Sequence, residues 1–225
     1  MSLPMRLARW WSGGPERVSM REGYDRWAPV YPAHPHNALM EAEAAVVEGL
    51  IRVSAPRRAL DVGTGTGRNL STLRDAGASC VVGVDLSASM LRHGVAGCPR
   101  VRGDAQQLPF AAASFDVVTS SLMSGDVADP GAWVGEAARV LAPGGQLIYS
   151  DFHPSWSVSG WRRTFTSGDG REYELPFFPH TIDAHLEQLA HHGLEVRAIR
   201  EPRVAGPRHA VVVVLHATKP SHRGR

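Results

Sequence analysis

The chain has 225 residues, of which 43% are apolar and 20% charged, the size and composition of one ordinary globular domain. A net charge of +2 argues against a dedicated nucleic-acid partner. The opening segment "MSLPMRLARWW" lacks the apolar run of a signal peptide, and no later segment is predicted to span a bilayer. Two cysteines, with neither a disulfide framework nor metal-ligand spacing, favour a reducing cytoplasm, with Cys80 predicted to be a buried thiol.

Helical and strand patterns alternate through the first two thirds of the chain. Apolar spacing predicts a helix over 39–53, and helices over 68–77, 88–97 and 129–145 follow, the last two capped by Ser87 and Asp129. Short apolar runs predict strands over 58–63, 80–86, 100–105, 115–123 and 146–152. This alternation is typical of an α/β protein with a parallel sheet covered by helices on both faces.

The alternation of helix and strand patterns is interrupted at residue 153. It resumes at Thr181, which is predicted to cap a helix. Two final strands, over 195–202 and 210–217, are joined by a loop too short for a crossover helix, so they should pair antiparallel. We therefore predict one α/β domain, 1–225, with a seven-stranded, mostly parallel sheet and an antiparallel last strand. Its expected parts are a helical cover (1–56), a ligand-binding core (57–152), an insertion (153–180) and a C-terminal helix with a hairpin (181–219).

Three glycines follow the first of these strands at alternate positions, in "ALDVGTGTGRNL". Gly63, Gly65 and Gly67 resemble a dinucleotide-binding turn, but that fingerprint needs its third glycine where this chain has Arg68. On the glycines alone, a tight strand-to-helix turn is an adequate explanation.

Acidic residues at the ends of three predicted strands favour a ligand. Asp61, Asp85 and Asp104 should meet at the edge where open α/β sheets bind ligands. A carboxylate such as Asp85 suits a ribose diol, and Asp104 would reach an adenine amino group. Three acids disfavour a pyrophosphate, so they indicate a nucleoside without one.

These segments resemble the class I S-adenosylmethionine-dependent methyltransferases, which have a Rossmann-like fold. The resemblance lies in "LDVGTGTG", "GVDLSASML", "GDAQQLPF", "SFDVVTSSLM" and "EAARVLAPGG", which occur in the family's order from about 57 to 152. Upstream, "YDRWAPVY" is similar to the N-terminal cover of the small-molecule branch, which includes quinone-methylating enzymes. The resemblance implies S-adenosylmethionine as cofactor and methyl transfer to oxygen or carbon of a small, aromatic or apolar molecule.

The resemblance also implies roles for individual residues. Asp61 would organise the glycine loop, Asp85 would hold the ribose, and Asp104 would accept from the adenine amino group. The remaining expected cofactor contacts are Gly63, Gly65, Gly67, Leu86, Met90, Ala105 and Ser120.

The sequence defines the binding site of the methyl acceptor less clearly than that of the cofactor. His153, just after the fifth core strand, is the expected general base, with Asp151 and His180 as alternatives and a structural loop histidine as the competing interpretation. Candidates for the lid or for substrate contacts are Tyr24, Trp27, Tyr31, Trp156 and Arg162, the last beside Arg163. The eleven histidines show no metal-ligand spacing, so no metal is expected.

Three other functions remain open at this point: methylation of RNA or protein, cofactor binding by a regulator that does not methylate, and nicotinamide-dependent oxidoreduction. The acceptor, the methylated atom and the oligomeric state are not determined by these patterns.

Overall fold

The computed structural model describes residues 14–158, 160–207 and 209–221. The first thirteen residues, including the segment inspected for a signal peptide, lie outside that description. Within it the helices are α1 (Met20–Trp27), α2 (Ala38–Ser54), α3 (Arg68–Asp75), α4 (Ala88–His93), α5 (Pro130–Val140), α6 (Ser155–Val158) and α7 (Ile182–His191). The strands are β1 (Glu16–Arg17), β2 (Arg58–Val62), β3 (Cys80–Asp85), β4 (Arg100–Arg102), β5 (Phe115–Ser120), β6 (Leu141–Phe152), β7 (Thr164–Thr166), β8 (Glu172–Glu174), β9 (Glu195–Arg200) and β10 (Val212–Thr218). None of the described helices is long and apolar enough to cross a membrane.

Seven strands form the main sheet in the order β4-β3-β2-β5-β6-β10-β9. Strands β2 to β6 run parallel to one another, with Leu60 opposite both Val82 and Val118. Strand β10 pairs antiparallel with both β6 and β9. The predicted seven-stranded, mostly parallel sheet with an antiparallel last strand is confirmed.

Both faces of the sheet are buried because adjacent strand residues contribute to different cores. Val118 packs in the cluster that contains Trp133 of α5, whereas Val117 packs in the cluster that contains Ile51 of α2. Helices α5 and α7 cover one face, and α2 and α3 cover the other. This double burial explains the unbroken apolar runs of the strands.

Several helix starts match their capping residues. Ser87 accepts from the Met90 amide, Asp129 from the Gly131 amide, and Thr181 from the Ala184 amide, at 3.0, 2.9 and 3.1 Å. Satisfying an otherwise unpaired N–H in this way stabilises the first turn.

Several predictions differ from the structure. Helix α4 ends at His93, because Gly94 adopts an extended conformation. Strand β6 begins at Leu141, earlier than the predicted 146, with an irregular register against β5. The prediction that Cys80 is buried is wrong: it begins β3 and is exposed.

A second, three-stranded sheet joins the N-terminal segment to the insertion. Strand β1 pairs parallel with β8, which pairs antiparallel with β7. Behind it lies a small core of Val18, Phe165, Tyr173 and Leu175. The N-terminal segment and the insertion therefore form a joint cover over one end of the main sheet.

Candidate active site

A cavity of about 630 Å³ lies at the carboxyl ends of β2, β3, β4 and β5, beneath that cover. Its volume is within the range of pockets that hold small ligands. Residues after β2, at the end of β3 and after β4 line one half, and α1, the start of α2, the end of β6 and the insertion line the other. The cavity therefore lies at the edge of the sheet where the sequence predicted a ligand.

The three glycines of the loop after β2 have three different roles. Gly63, at φ +65°, packs against Met123, whose side chain a Cβ atom would meet at 2.5 Å. Gly67, at φ +90°, precedes α3, and a Cβ there would collide with Val95. Only Gly65, at φ +55°, faces open space, since a Cβ there would meet no atom within 4 Å. Gly63 and Gly65 line the cavity, and Gly67 does not.

Asp85 ends β3 and holds the glycine loop directly. One carboxylate oxygen accepts from the Gly65 amide at 2.7 Å, and the other from the Ser87 amide at 2.8 Å. Burial raises the pKa of Asp85 to about 6, against the opposing effect of these two amides. Each oxygen retains a free lone pair, so the carboxylate can still accept from two neighbouring hydroxyls.

Asp61 lies beneath the loop and is almost fully buried. It accepts from the Thr119 hydroxyl at 2.7 Å and from the Asn69 amide at 3.1 Å, and burial raises its pKa. Asn69 also donates to the Ser121 hydroxyl, which belongs to a cavity-lining residue. Ser120, an expected cofactor contact, is buried and does not line the cavity, whereas its neighbour Ser121 does.

Asp104, Ala105, Leu86 and Met90 all line the cavity at its β3–β4 end. Leu86 is 41% exposed, so its apolar surface is available to a ligand, whereas Met90 is buried. Asp104 is exposed and uses one oxygen to accept from the Gln106 amide at 2.9 Å. An apolar wall beside an accessible carboxylate suits a flat heterocycle with an amino group.

The other half of the cavity is aromatic. Tyr24, Trp27, Tyr31 and Trp156 line it. The rings of Trp27 and Tyr31 meet edge to face at 4.8 Å, so the same residues both pack together and face the cavity. These residues therefore pack against each other and also line the cavity, and a lid role for them stays a prediction.

His153, the expected general base, is not among the residues that line the cavity. Its ring nitrogens contact the Ser155 hydroxyl and the Glu201 carboxylate, both at 2.9 Å. The alternatives do not line the cavity either: Asp151 is buried and accepts from backbone amides, and His180 hydrogen-bonds the Val127 carbonyl. The loop-histidine interpretation fits this geometry, and none of the three residues is assigned as a base.

Arg162 and Arg163 are placed on opposite sides of the chain. Arg162 is exposed, pairs with Glu174 and does not line the cavity. Arg163 is buried, lines the cavity and forms an ion pair with Asp126. Asp126 was not among the predicted site residues, although its position shortly after the fourth core strand could have indicated it.

Among the described residues, no three histidine, cysteine, aspartate or glutamate side chains are arranged to hold a metal ion.

Comparison with known proteins agrees with this geometry. The methyltransferase domain family matches residues 60–149. A demethylmenaquinone methyltransferase from Mycolicibacterium vanbaalenii is 41% identical over 103 residues, 45% of each chain. A fatty-acid O-methyltransferase from Mycolicibacterium smegmatis is 36% identical over 113 residues, 48% of this chain and 41% of that one. The alignments thus span less than half of these relatives.

A solved structure, an S-adenosylmethionine-dependent methyltransferase from Mesorhizobium loti, superposes with a TM-score of 0.64. It is 23% identical, and the match covers 79% of this chain and 97% of that one. At this level of identity, the similarity shows a shared fold.

Residues 60–149 match a methyltransferase domain. The fold is like that of solved S-adenosylmethionine-dependent methyltransferases. Over its core the chain is similar to demethylmenaquinone methyltransferases.

Proposed function

We propose that this chain transfers a methyl group from S-adenosylmethionine to oxygen or carbon of a small, aromatic or apolar molecule. The observation that carries the proposal is Gly65, whose missing side chain leaves open space in the cavity beside the Asp85 carboxylate. A backbone cradle next to a hydroxyl acceptor suits the amino-acid and ribose parts of such a cofactor.

The residues present fit the cofactor along its length. Gly63 and Gly65 would lie against the methionine part, Asp85 would accept from the ribose hydroxyls, and Asp104 from the adenine amino group. Leu86, Met90 and Ala105 would pack on the adenine. When bound, the cofactor supplies an activated methyl group with a good leaving group, so the chain has to align the acceptor and exclude water.

The acceptor half of the cavity supports a small molecule over RNA or protein. Its walls are aromatic rings, Trp27, Tyr31 and Trp156 among them, and not a basic groove. The relatives' names, which mention a menaquinone precursor and fatty acids, also favour a small apolar acceptor. Cytoplasmic location remains a prediction from the cysteine count.

Label transfer tests this function against its alternatives. The protein would be incubated with S-adenosylmethionine labelled at the methyl group and with phenols, quinols and carboxylic acids. Label in the organic extract would support the proposal, and label in added RNA or protein would favour a macromolecular acceptor. Binding of S-adenosylhomocysteine without any transfer would favour a regulator.

Filling the space at Gly65 is expected to weaken S-adenosylhomocysteine binding. In Gly65→Ala the new methyl group would enter the cofactor's space, and overpacking of this kind costs about 1–3 kcal/mol, so we expect about tenfold weaker binding by calorimetry. Gly193→Ala is the matched control, because Gly193 also has a positive φ and open space but lies after α7. Equal affinities of the two variants would contradict the cradle.

Binding is also expected to release protons near pH 6. Asp85 is partly protonated there in the free protein, because its pKa is raised to about 6. Ribose hydroxyls stabilise the ionised carboxylate, so its pKa falls on binding and affinity weakens as the pH drops below about 6. Calorimetry in buffers of different ionisation enthalpy measures this release, which should be small at pH 8 and absent in Asp85→Asn. Release of the same size in that variant would assign it to another group.

A further inference from the structure

Three polar side chains form a hydrogen-bonded cluster within the aromatic half of the cavity. Arg163 donates from one terminal nitrogen to Asp126 and from the other to the Tyr24 hydroxyl. The Tyr24 hydroxyl in turn donates to the second oxygen of Asp126 at 2.8 Å. Burial raises the pKa of Tyr24 well above 10, so the phenol stays protonated and keeps this donor role.

The cluster joins three separate segments. Tyr24 lies on α1, Asp126 ends the short helical turn that follows β5, and Arg163 directly precedes β7. All three line the cavity. Their mutual bonds hold the guanidinium in one orientation against the rings around it.

Arg163 retains unused hydrogen-bond donors. A guanidinium has five N–H groups, and only two are taken by Asp126 and Tyr24 among the residues that the structure describes. Its side chain is only 8% exposed. The Arg163 Cζ atom lies over the rings of Phe152 and Tyr24, at 5.2 and 5.6 Å from their centroids. Because Arg163 lines the cavity, its remaining N–H groups can donate to a ligand oxygen there.

The residues around Arg163 indicate which other chemical features such a ligand needs. Besides the cluster, this part of the cavity is walled by flat rings, namely Trp27, Tyr31, Phe152 and Trp161. The Tyr31 hydroxyl has no hydrogen-bond partner among the described residues and adds one more polar contact. A planar apolar body with one anionic oxygen matches both features, since a guanidinium fork binds such oxygens in defined geometry.

We propose that Arg163 recognises the methyl acceptor, and that the acceptor is a planar, apolar acid whose ionised carboxylate or phenolate oxygen binds the free edge of the guanidinium. The proposal rests on the methyltransferase function above and names the acceptor class of the same cavity. Asp126 and Tyr24 are positioning residues, because their bonds to Arg163 orient its guanidinium.

The test measures binding, independently of turnover. Calorimetry at pH 8 would compare 2-naphthoate with its neutral analogue 2-naphthamide, with and without S-adenosylhomocysteine. 2,4-Dinitro-1-naphthol, which is ionised at this pH, distinguishes a phenolate from a carboxylate. Wild type should bind at least one of the two anions about tenfold or more tightly than the amide, the range expected for a charge-assisted hydrogen bond.

Neighbouring arginines supply the matched control. Arg163→Gln should lose the preference for the anion, whereas Arg162→Gln should keep it, because Arg162 is exposed and paired with Glu174. Arg163→Gln leaves the Asp126 carboxylate without its cationic partner. The double variant Arg163→Gln/Asp126→Asn removes both charges together, so it repeats the test without an unpaired carboxylate. Arg163→Lys, which keeps the charge and loses the fork, should show a reduced preference.

The outcomes separate this inference from the proposed function. S-adenosylhomocysteine affinity should stay within about twofold in all of these variants, since Arg163 lies in the other half of the cavity. Equal binding of amide and anions by wild type, no binding of either anion, or the same loss in Arg162→Gln would overturn the acceptor assignment. Failure of wild type to bind S-adenosylhomocysteine would overturn the proposed function instead.

Discussion

Replacing Asp85 by alanine is expected to weaken S-adenosylhomocysteine binding by about ten- to a hundred-fold. A hydrogen bond to a charged group contributes about 1.5–3 kcal/mol, and a tenfold change in affinity corresponds to about 1.4 kcal/mol. The carboxylate also holds the Gly65 amide at 2.7 Å, so its loss additionally loosens the glycine loop. Calorimetric titration of wild type and variant measures the effect.

Two controls separate the ligand contact from general damage. Asp116 accepts from the Arg57 and Arg58 amides at the opposite end of the sheet, so Asp116→Ala removes an equivalent support away from the cavity. That variant should bind S-adenosylhomocysteine like wild type. Asp85→Asn keeps the shape of the side chain and should fall between wild type and Asp85→Ala. Wild-type affinity in a folded Asp85→Ala protein would disprove the assignment of the ribose to this residue.

Replacing Arg68 by methionine is expected to destabilise the fold by about 3–5 kcal/mol, the cost of leaving a buried charge unpaired. Arg68 begins α3 and lies 2.9 Å from a carboxylate oxygen of Glu43 on α2, with side-chain exposures of 11% and 0%. The other oxygen of Glu43 accepts from the Ser150 hydroxyl of β6 at 2.7 Å. The pair therefore ties two helices and a central strand together. Urea denaturation measures the change in the free energy of unfolding.

The double variant Glu43→Gln/Arg68→Met should be more stable than Arg68→Met alone, because no buried charge remains and the glutamine oxygen can still accept from Ser150. Arg52→Met is the surface control, since Arg52 lies on α2, the helix that carries Glu43. Arg52 pairs with Glu48 at 3.4 Å but is 69% exposed, and such pairs contribute about 1 kcal/mol or less. An Arg68→Met protein as stable as Arg52→Met would show that the buried pair contributes nothing net.

Much of the fold was predictable because the signals are local. Ser87, Asp129 and Thr181 cap helices through bonds to amides two or three residues ahead, and these depend on neighbouring residues only. The unbroken apolar runs likewise indicated strands that are buried on both faces of the sheet, because this signal is also read from neighbouring residues. The small sheet of β1, β7 and β8 was not predicted, because its strands are two or three residues long and β1 pairs with β8 across most of the chain.

The sequence by itself determined the fold class, the position of the glycine loop and the acidic strand ends around it, since parallel strands bring their carboxyl ends to one edge. Only the tertiary structure decided which neighbours face the cavity. Adjacent residues of an extended chain point to opposite sides, so Arg163 faces inward and Arg162 outward, although their types are identical. Long-range packing likewise placed His153 beside Glu201 and brought Asp126 to Tyr24, contacts between segments that no local pattern encodes.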